Sequence, residues 1–175
     1  MLLSELGSFG SFLSGLGTIL AAAVAAYGVD KWVHQLKQGR LLSVIWGTKV
    51  QVKKLESSLI DWEALNFYRP NEDFEKENKV ISDITNLTDE LEKSSWEIDV
   101  LDKTNHKQFS SLVMDLRLAF KARNDHINTY EQVTDKLSSE PLIEFEKARE
   151  SLKDKQCSVL ALINSTLEKL EISYS

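Results

Sequence analysis

The stretch LLSVIWGTKVQVKKLESSLIDW, residues 41–62, decides the architecture. Within it Leu41, Ile45, Thr48, Val52, Leu55, Leu59 and Trp62 recur at alternating spacings of four and three. Side chains three and four residues apart lie above one another on an α-helix, so these seven form one apolar stripe. A stripe of that length is the seam of a coiled coil or helical bundle, which needs other helices to cover it. Gly39 and Gly47 mark positions where this helix bends most easily.

Working outward toward the C-terminus, the segment Tyr68-Arg69-Pro70-Asn71 breaks the helix, and Asn71 is an N-cap ahead of Glu72 and Asp73. A second seam follows in Val80, Ile84, Leu87, Leu91, Ile98 and Leu101, with Ser94 filling one small layer. It stops at residues 102–105, where Asn105 and Gln108 have the spacing of a capping box. The third seam comprises Phe109, Leu112, Leu116, Ala119, Tyr130, Val133 and Leu137. Ser138-Ser139-Glu140-Pro141 then supplies cap residues and a proline for the first turn of a further helix. That helix carries Leu142, Phe145, Leu152, Val159, Ile163 and Leu170. No segment alternates as a strand does over more than a few residues. Helices of about 30 to 35 residues, on the order of 50 Å, joined by short connections pack antiparallel to their neighbours. The expected fold is all-α, with an up-down antiparallel four-helix bundle of coiled-coil type. The alternative is a pair of longer hairpins that complete their core by dimerising.

Toward the N-terminus, residues 6–29 contain no charged side chain and are bounded by Glu5 and Asp30. As a helix these 24 residues span roughly 36 Å, against about 30 Å of bilayer hydrocarbon. A secretory signal peptide places Lys or Arg before its apolar stretch, whereas here the nearest preceding charge is Glu5. The positive charges come afterwards, at Lys31, Lys37 and Arg40, which holds the C-terminal side in the cytoplasm and leaves a short N-terminus outside. Tyr27 and Trp32 occupy the aromatic belt of the inner interface, and with Lys31, Lys37 and Arg40 they are the expected interface anchors. Gly10, Ser14, Gly17, Ala21, Ala25 and Gly28 recur at spacings of three and four along one stripe. In lipid, helices associate through close backbone approach and interhelical hydrogen bonds, so that stripe is the expected packing face. The organisation read from the chain is a transmembrane anchor over 1–29, a juxtamembrane helix over 30–69 that is the first of the bundle, and three further bundle helices over 70–175.

Composition narrows the function. The chain has 175 residues, 42% hydrophobic and 27% charged, which suits one globular domain rather than a disordered one. Two prolines and seven glycines, five of them in the first 28 residues, are too few turns for an all-β fold. A net charge of −6 argues against nucleic acid as a partner. The charge is uneven: residues 30–69 carry seven Lys or Arg against four Asp or Glu, and residues 70–175 carry 14 against 22. Lys49, Lys53 and Lys54 lie roughly 30 Å beyond the membrane end of a straight helix, several Debye lengths away. Lipid attraction therefore rests on Lys31, Lys37 and Arg40. Cys157 is the lone cysteine and reads as a small helix-face residue.

Residues able to do chemistry are sparse. Di-iron bundles use Glu-x-x-His pairs, but His34, His106 and His126 are preceded at that spacing by Lys31, Lys103 and Arg123. Residues 30–175 hold no phosphate-binding glycine loop, so no catalytic residue, metal or cofactor is expected and the chain reads as a non-enzyme. Asn86-Leu87-Thr88 and Asn164-Ser165-Thr166 match the glycosylation pattern but fall in helices assigned to the cytoplasm. One polar cluster interrupts the third seam, Arg123-Asn124-Asp125-His126. It resembles the arginine and histidine that helical HEPN nucleases carry on one helix. The two residues between Arg123 and His126 are fewer than that family places there, and the eight between Arg117 and His126 are more. A polar layer that fixes helix register accounts better for the cluster.

The layout of a glycine-rich span, the exit Trp32-Val33-His34-Gln35 and a helical domain resembles that of small bacterial single-pass inner-membrane proteins. The resemblance brings no catalytic residues. It implies an inner-membrane protein whose partners are lipid and itself or another protein, bound through the bundle and the span, with no small-molecule substrate. Two functions fit: a non-enzymatic interaction, scaffold or sensing module at the cytoplasmic face, or a membrane-perturbing effector of toxin or phage-defence type that assembles through its span.

Overall fold

The computed structural model describes the backbone over residues 2–68, 74–102, 108–133 and 139–174, and side chains over 14–66, 75–102, 108–129 and 143–174. Four helices account for it: α1 (Leu2–Tyr68), α2 (Phe74–Leu101), α3 (Gln108–Val133) and α4 (Ser139–Tyr174). There is no strand among the described residues. α1 runs without a break through all five of its N-terminal glycines and stops two residues before Pro70. α2 opens with Glu75 and Glu77 in its first turn, where carboxylates complement the helix dipole. α4 carries Pro141 in its first turn, where a missing N–H costs nothing. The predicted caps Asn71, Asn105 and Ser138 lie outside the described residues, as do the side chains of Tyr130, Val133, Leu137 and Leu142.

By its internal contacts the chain divides into two units, residues 1–40 and 41–175. The second is a helical bundle. All seven residues of the stripe Leu41–Trp62 are buried. They join Ile84, Leu91 and Ile98 of α2, Phe109, Val113, Leu116 and Ile127 of α3, and Val159, Ile163, Leu167 and Leu170 of α4 in one apolar core. Each such side chain contributes roughly 1.5 to 3 kcal/mol when fully buried, so the core is what drives these helices together.

Polar pairings along the edges of the core give the order. Trp46 and Lys49 meet Glu171, Glu56 meets Asn164, and Glu63 meets Lys153, so α1 and α4 run in opposite directions. Arg117 bridges to Asp89 and Glu92, while Asp99 reaches the start of α3, which makes α2 and α3 antiparallel. Arg123 with Gln156 and His126 with Phe145 do the same for α3 and α4. Gln51 accepts a hydrogen bond from Ser94 at 3.0 Å, putting α2 beside α1 and, by the other three directions, antiparallel to it. Across the centre, Trp62 touches Phe120 and Tyr174 donates to Asp102, pairing helices that run the same way.

One detail of α2 differs from the sequence expectation, and one at the start of α3 adds to it. Ser95 and Thr88, not Ser94, are the small polar residues sealed in the α2 seam, and Ser94 stands half-buried at its edge facing α1. Ser95 is accommodated because its hydroxyl donates back to the Glu92 carbonyl at 2.6 Å, and Thr88 likewise to Ile84 at 2.7 Å. The start of α3 is served from another helix: the Asp99 carboxylate accepts the N–H groups of Phe109 at 3.3 Å and Ser110 at 3.0 Å. Those are two of the donors that a helix N-terminus leaves unpaired.

Candidate functional site

Of the residues singled out in the span, Ser14, Gly17, Ala21, Ala25 and Gly28 are all helical and exposed, and Gly10 is helical with its surroundings outside the described residues. A methyl group added at Gly17 or Gly28 would meet nothing within 4 Å, so the stripe is open along its length. Thr18 beside it spends its hydroxyl on the Ser14 carbonyl at 2.9 Å, satisfying that group inside the helix. Tyr27, Lys31, Trp32, Lys37 and Arg40 are also exposed. α1 is long and apolar enough to cross a membrane, and the stretch that qualifies is not buried against any protein.

The chemistry-bearing cluster of the bundle lies elsewhere, at Arg123. Only 3% of this residue is exposed, and its guanidinium carbon sits 5.0 Å from the ring centroid of Trp62. One terminal nitrogen, Nη1, donates to Gln156 Oε1 at 2.9 Å, and Gln156 is itself 2% exposed. The other, Nη2, is 3.4 Å from Glu63 Oε1, which also accepts from Lys153 Nζ at 2.6 Å. Burial by itself raises the pKa of the Glu63 carboxyl. The hydrogen bond from Lys153 and the charges of Arg123 and Lys153 outweigh burial and hold it below the usual carboxylate range. Lys153 moves the other way, held above its ordinary value first by that bond to Glu63.

Trp62, Glu63, Arg123, Lys153 and Gln156 thus form one polar layer across α1, α3 and α4. Sequence periodicity placed Arg123 on the third seam and missed Gln156, since glutamine at a seam position has no compositional signal. The layer also separates Arg123 from His126. The histidine ring stacks on Phe145 with centroids 4.1 Å apart and planes 8° from parallel, and its Nε2 lies 3.2 Å from the Phe145 carbonyl oxygen. A nuclease pair would present both groups to one substrate; here one is spent on the core and the other on α4.

Elsewhere, a groove of about 450 Å³ between α1 and α2 is lined by Lys54, Ser57, Ser58, Asp83, Asn86 and Glu90. It holds serines without a histidine to activate them. Cys157 is exposed on α4, and no group of three His, Cys, Asp or Glu comes together among the described residues. No protein-family model, curated protein or solved structure matches this chain.

Proposed function

We propose that this chain is a single-pass inner-membrane protein whose cytoplasmic four-helix bundle acts as a non-enzymatic interaction, scaffold or sensing module. The observation that carries the reading is the contrast in exposed apolar surface. Leu16, Ile19, Leu20, Val24, Tyr27, Val29 and Trp32 are all exposed within one uninterrupted stretch of helix. Apolar surface of that extent has no counterpart on a soluble monomer and calls for lipid or another helix around it. The bundle buries its own seams, its exposed apolar residues such as Trp96, Val100 and Ile172 are spaced among polar ones, and its edges are occupied by ion pairs and hydrogen bonds between helices. The lysines and arginine after Val29 favour a cytoplasmic C-terminus, because short positively charged flanks stay on that side.

A second reading, an effector that assembles within the bilayer, is favoured by the unobstructed stripe Ser14, Gly17, Ala21, Ala25 and Gly28. The two are separated by expressing the full chain and residues 30–175 in parallel. A tethered module requires the full chain to resist carbonate extraction and a cytoplasm-only reporter after Ser175 to be active, with growth unaffected. Growth arrest that appears only with the span, and disappears in Gly17→Leu with Ala21→Leu, would select the effector. Activity of a periplasm-only reporter after Ser175 would remove both.

A further inference from the structure

The last turn of α4 makes contacts out of proportion to its length. Glu171 accepts from the Trp46 indole N–H at 2.7 Å and pairs with Lys49, both on α1. One turn on, Tyr174 packs against the apolar core and donates its hydroxyl to Asp102 Oδ1 at 2.8 Å. Asp102 is 2% exposed at the end of α2, where its own N–H closes on the Ile98 carbonyl at 2.7 Å. One turn before it, Asp99 holds the first N–H groups of α3. Two residues of α4 therefore reach α1 and α2 directly, and the start of α3 through the end of α2. The residues between them take no part: Ile172 is 79% exposed, and the Ser173 hydroxyl turns back to the Lys169 carbonyl.

A final turn is where a helix unwinds most readily, because its last four carbonyls have no partner within the helix. Whether this one stays docked depends on Glu171 and Tyr174. The ion pair of Glu171 lies at the surface, where such pairs contribute little, whereas the buried Asp102 carboxylate needs its donors. We propose that residues 171–174 are a latch. Docked, they complete this end of the bundle. Undocked, they uncover the core beneath Tyr174 and loosen the junction of α2 with α3, while the remainder stays folded. Undocking takes one donor from a buried carboxylate, so water enters as the turn leaves and this end opens as one cooperative unit. A segment with two such positions is the two-state element that a sensing module requires. The latch is a property of the bundle alone, so its failure and the failure of membrane anchoring are separate results.

The test is amide hydrogen exchange of the full chain in a non-ionic detergent, read by mass spectrometry for the parent, Tyr174→Phe and Glu171→Gln. Tyr174→Phe keeps the ring and removes only the hydroxyl. It should speed exchange of residues 98–102, 109–113 and 171–174 by about tenfold, the worth of roughly one hydrogen bond to a charged group. Residues 52–59 and 159–163, along the middle of the core, should exchange as in the parent. Glu171→Gln keeps an acceptor for Trp46 and loses the charge that faces Lys49, for an effect of about threefold. Where that smaller effect appears is decisive. Glu171 bonds to α1, yet its replacement should speed the same residues of α2 and α3, because one turn releases them all. Exchange that rises in equal proportion at every position would overturn the proposal and leave only a loss of global stability. Unchanged exchange over 98–102 and 109–113 in either variant would overturn it equally, since the two contacts would then open independently.

Discussion

Between residues 14 and 37 every residue is exposed, including Leu16, Ile19, Val24 and Trp32; between 41 and 62 one position in every three or four is sealed and those between are half-buried or exposed. Both stretches are α-helix. What separates them is how apolar residues are distributed around the axis. In the first stretch they fall on all sides, which suits surroundings that are apolar on all sides. In the second the sealed apolar residues keep to one stripe, with Trp46, Val50 and Ile60 exposed off it, which suits a helix that hides one face among others and offers most of the rest to water. Helix formation is common to the two; the arrangement of side chains decides which solvent each is written for.

A charge placed in each region is the strongest way to break that comparison. Leu116 is 2% exposed in the bundle core, and Leu116→Asp should cost about 4 kcal/mol or more, by burying an unpaired carboxylate. Ile19→Asp should leave the melting of the bundle unchanged, because Ile19 is exposed and outside it. It should instead impair membrane integration, a charge near the middle of a span costing about 2.5 to 3.5 kcal/mol. Thermal melts by circular dichroism and carbonate extraction read the two effects. A bundle that melts normally in the Leu116→Asp variant, or unfolds in the Ile19→Asp variant, would mean that the regions do not differ as described.

How far the sequence anticipated this structure depends on the range of the interaction. The stripe from Leu41 to Trp62 was legible in full because it is strictly periodic and uninterrupted. The α2 seam was displaced by one residue at Ser94, since two adjacent serines give no sign of which one turns inward; its contact with α1 decides. In α3 the interval shortens from four to three at Leu116 and Ala119, so a fixed period loses the buried Ile127. Gln156 and Asp99 were invisible for a different reason. Their roles exist only once a residue far along the chain, Arg123 in one case and Ser110 in the other, has been brought alongside. The polar layer around Arg123 was only half legible for the same reason, because its partners Glu63, Lys153 and Gln156 come from α1 and α4.

A smaller effect sharpens the description of the bundle by asking what lies outside its apolar seams. Asp99 caps the start of α3 from another helix by accepting from Phe109 and Ser110. Asp99→Ala should destabilise the bundle by about 1 kcal/mol, the usual worth of an N-cap acceptor. Asp99→Asn keeps an oxygen acceptor but loses the charge that complements the helix dipole, so it should fall between the two. Chemical denaturation of the three proteins orders them. If Asp99→Ala matched the parent, these two hydrogen bonds would contribute nothing to the stability of the bundle.

The smallest expected effect concerns acid. Residues 14–37 contain a single carboxylate, Asp30, whereas the bundle holds several that are paired across helices. Glu63 lies below its ordinary value of 4.5, because Lys153 and Arg123 outweigh the opposing effect of burial. A group whose folded pKa is depressed contributes stability that is complete above the unfolded value. That contribution is lost as pH falls through the folded one. The bundle should therefore lose stability between about pH 5 and pH 3, the interval in which such carboxylates take up protons. Glu63→Gln isolates one contribution. At pH 7 it should melt lower than the parent by up to about 1 kcal/mol, the worth of a partly exposed ion pair. As pH falls, protonation turns the parent's Glu63 into a neutral group much like the glutamine, and the two melting curves should converge. A gap that stayed constant down to pH 3 would show that shape or packing at position 63, rather than its charge, is what the bundle uses.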